Sequence, residues 1–352
     1  MLISSNLRKH ALVIACALPI IGCATRPSAP LAPEPEIGAA IESGTAAEPS
    51  VSFQPPPNST NKITQYLSVQ GRLSDTRLDE VSGLATSMFD ENRLWAINDS
   101  GNSAELYALT KQATLTQVWP VAVSNRDWEA MASTSVGGVP FLLIADTGDN
   151  LTIYEESSIH LIEEPVKPPD SAQPLIPTAT IRFTYPEGPQ NVEAMAVSGS
   201  NIYLLTKERL TSKRTPSRLY RLTLHGDLKN TIQTAVYEGT VQMPQRGWKT
   251  GLVTRLLGID PIQPTDLVIS SDDNHAYVLN YLHVLHYERL AGETWPDALA
   301  KPPRIVHRHS LRQAEALTIS ADNHVWLTSE SRGARLLAFT GAKSSNASRV
   351  SP

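Results

Sequence analysis

Five segments of this chain share one pattern, an acidic residue followed by small and apolar residues. The acids are Glu80, Glu129, Glu193, Asp266 and Glu315, and successive acids are separated by 49, 64, 73 and 49 residues. This spacing is close to that of a four-stranded blade with loops of variable length. The repeat constrains the fold strongly, because each unit needs its neighbours to bury its apolar face.

A second apolar run follows each acid and ends in polar residues, as in Leu94–Asn98 and Leu142–Asp146. Turn residues separate the two runs, so each pair predicts an antiparallel hairpin that brings the acid and the polar group to the same end. We therefore predict an all-β propeller with five recognisable blades over residues 63–340. A sixth blade that lacks the motif, or that closes from both termini, stays open. The alternative is a sandwich or barrel whose strands begin with solvated acids.

The first residues of the chain have the pattern of a secretory signal. Arg8 and Lys9 precede an apolar run from Ala11 to Ile21, which is too short to span a bilayer and ends at Gly22-Cys23. This ending resembles the bacterial lipoprotein signal, although an ordinary secretory signal with a chance cysteine is the alternative. The resemblance implies cleavage after residue 22 and lipidation of Cys23 by a diacylglycerol and a fatty acyl chain such as palmitate.

Sorting rules for such lipoproteins imply a location for the mature chain. Ala24, and not an aspartate, follows Cys23. By resemblance, we expect an anchor in the outer membrane, with the folded domain facing the periplasm or the cell surface. Inner-membrane retention is the alternative.

The segment 23–62 that follows holds eight prolines and no apolar period, which predicts a disordered linker. Residues 341–352 form a polar tail. The two cysteines, Cys16 and Cys23, lie in the signal and at the lipid site, so we expect no disulfide in the mature protein. The net charge of −5 argues against a nucleic-acid partner.

Several motifs resemble a known group of secreted bacterial β-propellers, the phytase-like and esterase-like propellers and, more distantly, the gluconolactonase and NHL-type superfamily. They are Leu94-Trp-Ala-Ile-Asn-Asp-Ser-Gly-Asn102, Asp127-Trp-Glu-Ala-Met-Ala132, Ile144-Ala-Asp-Thr-Gly-Asp-Asn150, Asn191-Val-Glu-Ala-Met-Ala196 and Gln313-Ala-Glu-Ala-Leu317. The chain departs from the group in the Pro-rich insert 163–177 and in the segment from Met243 to Thr265. The resemblance implies a propeller fold more directly than any activity.

If the five acids converge on one channel, their repulsion favours either protonation or a bound cation. Carboxylate and amide oxygens suit Ca²⁺, whereas the scarcity of suitable Cys and His residues argues against zinc. The candidate calcium ligands are Glu80, Glu129, Glu193, Asp266, Glu315, Asp99, Asp146 and Asn280. Two alternatives stay open: acids that only accept backbone hydrogen bonds, and a metal-free catalytic acid pair.

Basic residues beside this mouth are candidates for binding an anion, as the phytase-like resemblance implies, although a solvated loop explains them too. The candidate ligand-binding residues are Lys207, Arg209, Asn98, Asp149, Asn150, Tyr281 and Glu330. The histidines are weaker candidates for metal binding. His307 and His309 lie on the same face of a predicted strand, but an ordinary surface strand would show the same pattern. The motifs of serine hydrolases and phosphate-binding loops do not occur in the sequence.

Two classes of function follow. The first is a ligand-binding or scaffold module of the envelope, with calcium at the channel mouth and a small anionic ligand or an envelope protein as partner. The second is a calcium-dependent hydrolase of phosphoesters or lactones, in which the metal activates water and Lys207 or Arg209 holds the anion. The sequence favours the first class, because an enzyme needs a defined base and several acids could serve.

Overall fold

A computed structural model describes residues 66–166, 173–208, 216–227, 230–245 and 260–342. All of them belong to one compact unit, Lys62–Pro352. The predicted signal, the lipidated Cys23, most of the linker and most of the tail lie outside the described residues. Within the described part of the chain, no helix has the length and apolar character needed to cross a membrane.

The described strands form five small sheets arranged as the blades of a propeller. Blade 1 contains β2 (Val81–Thr86), β3 (Arg93–Asn98), β4 (Glu105–Thr110) and β5 (Leu115–Pro120). Blade 2 contains β6 (Trp128–Val136), β7 (Val139–Asp146), β8 (Ser157–Glu163) and β9 (Ala179–Thr184). Blade 3 contains β10 (Val192–Ser198), β11 (Asn201–Thr206), β12 (Arg218–Thr223) and β14 (Val236–Thr240). Blade 4 contains β15 (Pro264–Ile269), β16 (His275–Asn280), β17 (His283–Glu288) and β18 (Arg304–Arg308).

Blade 5 closes the ring with strands from both ends of the domain. It contains β19 (Ala314–Ile319), β20 (His324–Ser329), β21 (Arg335–Thr340) and, on its outer edge, β1 (Ser68–Arg72). The antiparallel pairing of β1 with β21 joins the first described strand to the last one, and removes a free edge from each. The five-bladed propeller is thereby confirmed. The N-terminal strand β1 completes the fifth blade and does not start a sixth.

Two elements depart from the regular blades. The strand β13 (Thr231–Thr234) runs parallel to β9 and extends the outer edge of blade 2. A five-residue helix, α1 (Trp295–Leu299), lies between β17 and β18 and begins at a capping box formed by Thr294 and Asp297. The scarcity of helix agrees with the absence of long helical patterns in the sequence.

The Pro-rich insert after β8 connects blade 2 to blade 1. The backbone of Leu175 exchanges hydrogen bonds with Pro120 and Ala122, both at 2.7 Å. Earlier in the insert, the buried carboxylate of Glu164 accepts hydrogen bonds from the Met88 N–H and the Trp95 indole, each at 2.9 Å. The second departure, from Met243 to Thr265, lies mostly outside the described residues.

The inner strands β2, β6, β10, β15 and β19 surround the channel, and the apolar clusters of the core lie between neighbouring blades. Small residues on these strands allow close approach. A Cβ added to Gly83 would lie 2.9 Å from the Met131 backbone nitrogen and 2.9 Å from its Cβ, so this position does not accommodate a side chain. This crowding is the physical reason for the small residues that follow each acid.

Each inner strand also has an irregularity in register near its start, and these β-bulges define one equivalent position in every blade. The residues at this position are Ser82, Glu129, Glu193, Thr265 and Glu315. The alignment of the five acids therefore needs correction at two positions. Glu80 lies two residues before the bulge of blade 1, and Asp266 lies one residue after the bulge of blade 4. Because side chains alternate along a strand, Asp266 points to a different face from the bulge residue.

Candidate functional site

The channel mouth is built from two rings of side chains. The bulge residues form the inner ring. The second ring consists of the residues that directly follow the second strand of each blade, namely Asp99, Thr147, Lys207, Tyr281 and Glu330. In four blades, the N–H of the second-ring residue donates to the carbonyl located two residues before the bulge: that of Glu80, Asp127, Asn191 or Gln313. These repeated bonds fix the two rings at the same end.

Two inner-ring positions carry hydroxyl groups that serve the fold. The Ser82 hydroxyl donates to the Trp128 carbonyl, and the Thr265 hydroxyl donates to the Ala314 carbonyl, both at 2.7 Å. Each of these carbonyls belongs to the residue before the acid of the next blade. The ring of five carboxylates expected from the sequence is therefore a ring of three, Glu129, Glu193 and Glu315, together with two hydroxyl links between blades.

Glu193 and Glu315 lie on a charge-paired side of the mouth. Lys207 Nζ lies 2.8 Å from Glu193 Oε2 and 4.0 Å from Glu315 Oε1, while the Tyr281 hydroxyl donates to Glu315 Oε1 at 2.6 Å. Burial raises the pKa of Glu315 to about 8, although the nearby ammonium opposes the shift. Burial acts to lower the pKa of Lys207, but the two carboxylates outweigh it and hold that pKa well above its usual value.

Asp99, Asp127 and Glu129 lie on a second, unpaired side of the mouth. One carboxylate oxygen from each falls within 4.8 Å of the others. Burial is the main cause that raises the pKa of all three groups, to about 7 for Asp99, and charge repulsion from nearby carboxylates adds to it. The Lys207 ammonium opposes the rise at Glu129, and hydrogen bonds with Ser100 and Asp99 oppose it at Asp127. The chain passes close to this cluster at Gly148, where a Cβ would overlap the carboxylates of Asp127 and Glu129. We call Asp99, Asp127 and Glu129 the acid cluster.

Glu129 differs from the other two inner-ring acids in its surroundings. Its side chain is 5% exposed, and among the described residues no donor or cation makes a hydrogen bond or ion pair with its carboxylate. Asp127 faces the Ser100 hydroxyl, and Asp99 accepts a bond from the Ser100 N–H. The acid cluster thus contains three carboxylates and, among the described residues, no cation that pairs with them.

Three other candidate metal ligands have structural partners. Asp266 is fully buried, and its oxygens accept the N–H groups of Leu267 at 2.8 Å and Leu317 at 2.6 Å. Asp146 Oδ1 accepts the Asp127 N–H at 2.9 Å. Asn280 Oδ1 accepts two N–H groups of the following turn. These three residues match the alternative in which polar side chains accept hydrogen bonds from the backbone. Glu80, a fourth candidate metal ligand, is exposed and accepts a hydrogen bond from Asn102 at 2.6 Å.

Some of the candidate ligand-binding residues lie at the channel mouth, and others support the loops around it. Tyr281 and Glu330 belong to the second ring, and Lys207 is engaged by Glu193 instead of lying in a solvated loop. Asn98, which donates to the Arg77 carbonyl, and Asp149, which accepts the Tyr154 N–H at 2.8 Å, support loops around the mouth. Asn150 is exposed and accepts a bond from Asn191 at 3.3 Å. Arg209 lies outside the described residues.

Asp127 is the site residue that the sequence reasoning missed. It lies two residues before Glu129, where the other blades have Glu80, Asn191, Gln263 and Gln313. All five residues are polar, and a polar residue in every repeat is a signal that could have identified the position. The histidines of blade 4 do not form a group that could hold a metal ion. Within the described part of the chain, the acid cluster is the only set of three ligand residues close enough to bind one ion.

No protein-family model and no curated protein matches the chain. Among solved structures, it is similar to the PQQ-bound aldose sugar dehydrogenase of Streptomyces coelicolor, with 11% identity, a TM-score of 0.46 and coverage of 78% of this chain and 98% of that one. It is also similar to a luciferin-regenerating enzyme, with 8% identity, a TM-score of 0.39 and coverage of 79% and 95%. Likenesses this distant carry no cofactor or reaction over to this chain.

Proposed function

We propose that this chain is a lipid-anchored β-propeller of the bacterial envelope that binds Ca²⁺ at its channel mouth. The acid cluster holds the ion, and the ion in turn binds an anionic group of a ligand. The observation that carries this proposal is the buried Glu129 carboxylate, which has no hydrogen-bond or ion-pair partner among the described residues, whereas Glu193 and Glu315 each have one. Hard oxygen ligands of this kind suit Ca²⁺, which takes six to eight oxygens.

Electrostatics supports a divalent ion at this place. Three carboxylates within 4.8 Å repel one another unless they are protonated or bridged by a cation. On the other side of the mouth, Lys207 supplies the balancing charge for Glu193 and Glu315. A single calcium ion offsets two of the three carboxylate charges of the acid cluster, and the remaining coordination positions are available to water or to a ligand.

A ligand-binding role is favoured over hydrolysis. In the hydrolase alternative, Lys207 holds the substrate anion, yet its ammonium is already paired with Glu193 at 2.8 Å. A metal-activated water and an unpaired base in the acid cluster could still support such a reaction. Hydrolysis of a phosphoester or lactone by the calcium-loaded protein, lost in Glu129→Gln, is the result that favours the enzyme over the binding module.

Calorimetric titration of the 62–352 fragment with CaCl₂ tests the proposal. This fragment matches the compact unit and contains every described strand. We expect one calcium ion per chain, with Glu129→Gln weakening binding at least tenfold. Glu80→Gln is the control, because it neutralises an exposed acid that bonds Asn102 outside the acid cluster and should alter the affinity by less than threefold. No heat in the parent protein, or equal loss in both variants, contradicts the assignment to the acid cluster.

A further inference from the structure

An apolar loop lies beside the acid cluster. Residues 150–154, which we call the mouth loop, lie between β7 and β8, at the end of the propeller where β7 reaches the second ring. Leu151 is 63% exposed, Ile153 is 60% exposed and Tyr154 is 40% exposed. Side chains that face solvent to this extent project from the surface instead of lining a pocket.

The position of this loop sets it apart from other exposed apolar residues. The other large apolar side chains that are exposed in the described ranges lie on or beside outer edge strands, in the insert after β8, or at the opposite end of the propeller. They are Tyr66, Val69, Met88, Phe89, Val139, Val166, Ile176, Ile232, Val236, Tyr237, Leu290 and Ile305. The mouth loop thus contributes three exposed large apolar side chains to the end of the propeller that carries the acid cluster.

The mouth loop is held in one conformation by polar contacts at its base. Asp149 Oδ2 accepts the Tyr154 N–H at 2.8 Å, and the Asp149 N–H donates to Asn191 at 2.7 Å. The Arg126 guanidinium lies 4.3 Å from the centre of the Tyr154 ring. Because these contacts already order the loop backbone, inserting Leu151 and Ile153 into an apolar environment costs little further conformational entropy.

We propose that the mouth end of the propeller docks on a membrane surface that contains anionic phospholipids. The mouth loop enters the interface, and the calcium ion of the acid cluster binds lipid phosphate groups. This inference rests on the proposed function, because the acid cluster without a cation repels an anionic surface. Gly148, two residues before the loop, lies against Asp127 and Glu129, so the apolar and ionic contacts are adjacent.

The shape of the surface favours a membrane over a small apolar ligand. Small molecules bind in concave sites that bury most of their surface, whereas three projecting side chains offer no enclosure. An interface of head groups and acyl chains accepts projecting aliphatic and aromatic side chains and a bridging cation at the same time. Arg126, which is partly exposed beside Tyr154, is paired with Asp146 at 3.6 Å, so the base of the loop carries no unpaired acid at this point.

Vesicle flotation of the 62–352 fragment tests this inference. We expect binding to vesicles of phosphatidylglycerol and phosphatidylcholine in calcium, and at least tenfold weaker binding in EGTA or to pure phosphatidylcholine. The double variant Leu151→Ser with Ile153→Ser should bind at least tenfold more weakly while keeping its melting temperature and its calcium titration. Ile232→Ser, a matched control on the edge strand β13, is 69% exposed in the parent and should bind like the parent.

The outcomes separate the two proposals. Calcium binding by calorimetry without vesicle binding overturns membrane docking and leaves the calcium site in place. Vesicle binding that is unchanged by the double variant, or that persists in EGTA, also overturns the docking model. No calcium binding in the parent protein overturns the proposed function itself, and the calorimetric titration reports this independently of the vesicles.

Discussion

Lys207 Nζ lies 2.8 Å from Glu193 Oε2, and this ion pair divides the channel mouth into two halves that differ in direct charge pairing, although the ammonium also acts to lower the pKa of Glu129 across the mouth. One half contains an ammonium together with Glu193 and Glu315. The other half contains the acid cluster and, among the described residues, no paired cation. The acids that the sequence places together at the mouth therefore divide into a site with an ion pair and a site without one.

Replacing the cation of the paired half should be costly. Lys207→Met leaves Glu193 and Glu315 buried without their ion pair, and we expect the free energy of unfolding to fall by about 3 kcal/mol. Adding Glu193→Gln removes one of the stranded charges, so the double variant should recover part of the loss. Urea denaturation in EGTA measures both effects. Equal stability of the single and double variants contradicts the coupling between these two residues.

Neutralising the acid cluster should stabilise the metal-free protein. In EGTA at pH 8, Glu129→Gln removes a carboxyl group whose charged form is opposed by burial and by the nearby carboxylates, and we expect a gain of about 1 to 3 kcal/mol. Asp266→Asn is the comparison, since it removes an acceptor from two buried backbone N–H groups and should cost about 1 to 3 kcal/mol. Thermal and urea unfolding of both variants test the expected opposite signs.

A buried histidine pair should make the domain sensitive to acid. His286 Nε2 lies 3.1 Å from His275 Nδ1, and burial, together with His275 and Arg304, lowers the pKa of His286 to about 3. The unfolded chain takes up a proton near pH 6.5, while the folded chain resists protonation until about pH 3.

Stability should therefore fall as the pH drops below about 6.5, with a slope of up to about 1.4 kcal/mol per pH unit from this group. His286→Gln should reduce that slope between pH 6 and 4, as measured by urea unfolding in EGTA at each pH. His225→Gln changes an exposed histidine after β12 and serves as the control. A slope unchanged in His286→Gln assigns the acid sensitivity to other groups.

The proposed anchor depends on one thiol. In cells, Cys23→Ala should release the protein from the membrane fraction or leave an uncleaved precursor, because no atom remains to carry the diacylglycerol. Radiolabelled fatty acid should enter the parent protein and not the variant. An unlabelled parent that is nevertheless retained in membranes contradicts lipidation as the means of attachment.

The sequence by itself determined the repeat and five of its units, whereas the pairing of β1 with β21 decided that no sixth blade follows among the described strands. Alternating apolar runs and turn residues are local properties, so they predicted the hairpins, the small residues of the inner strands and the common end where acids and polar groups meet. The motif around Glu129, Glu193 and Glu315 also placed these three residues at equivalent positions, as the bulges of β6, β10 and β19 confirm.

Tertiary structure decided which side chains face each other. Glu80 and Asp266 fit the sequence pattern, yet Glu80 lies two residues before the bulge and Asp266 one residue after it, and the one-residue offset turns Asp266 to the opposite face. The pairing of Lys207 with Glu193, and the gathering of Asp99 with Asp127 and Glu129, depend on contacts between residues that are distant along the chain or on different blades. Local periodicity does not encode such contacts, because strand register is set by hydrogen bonding to the neighbouring strand.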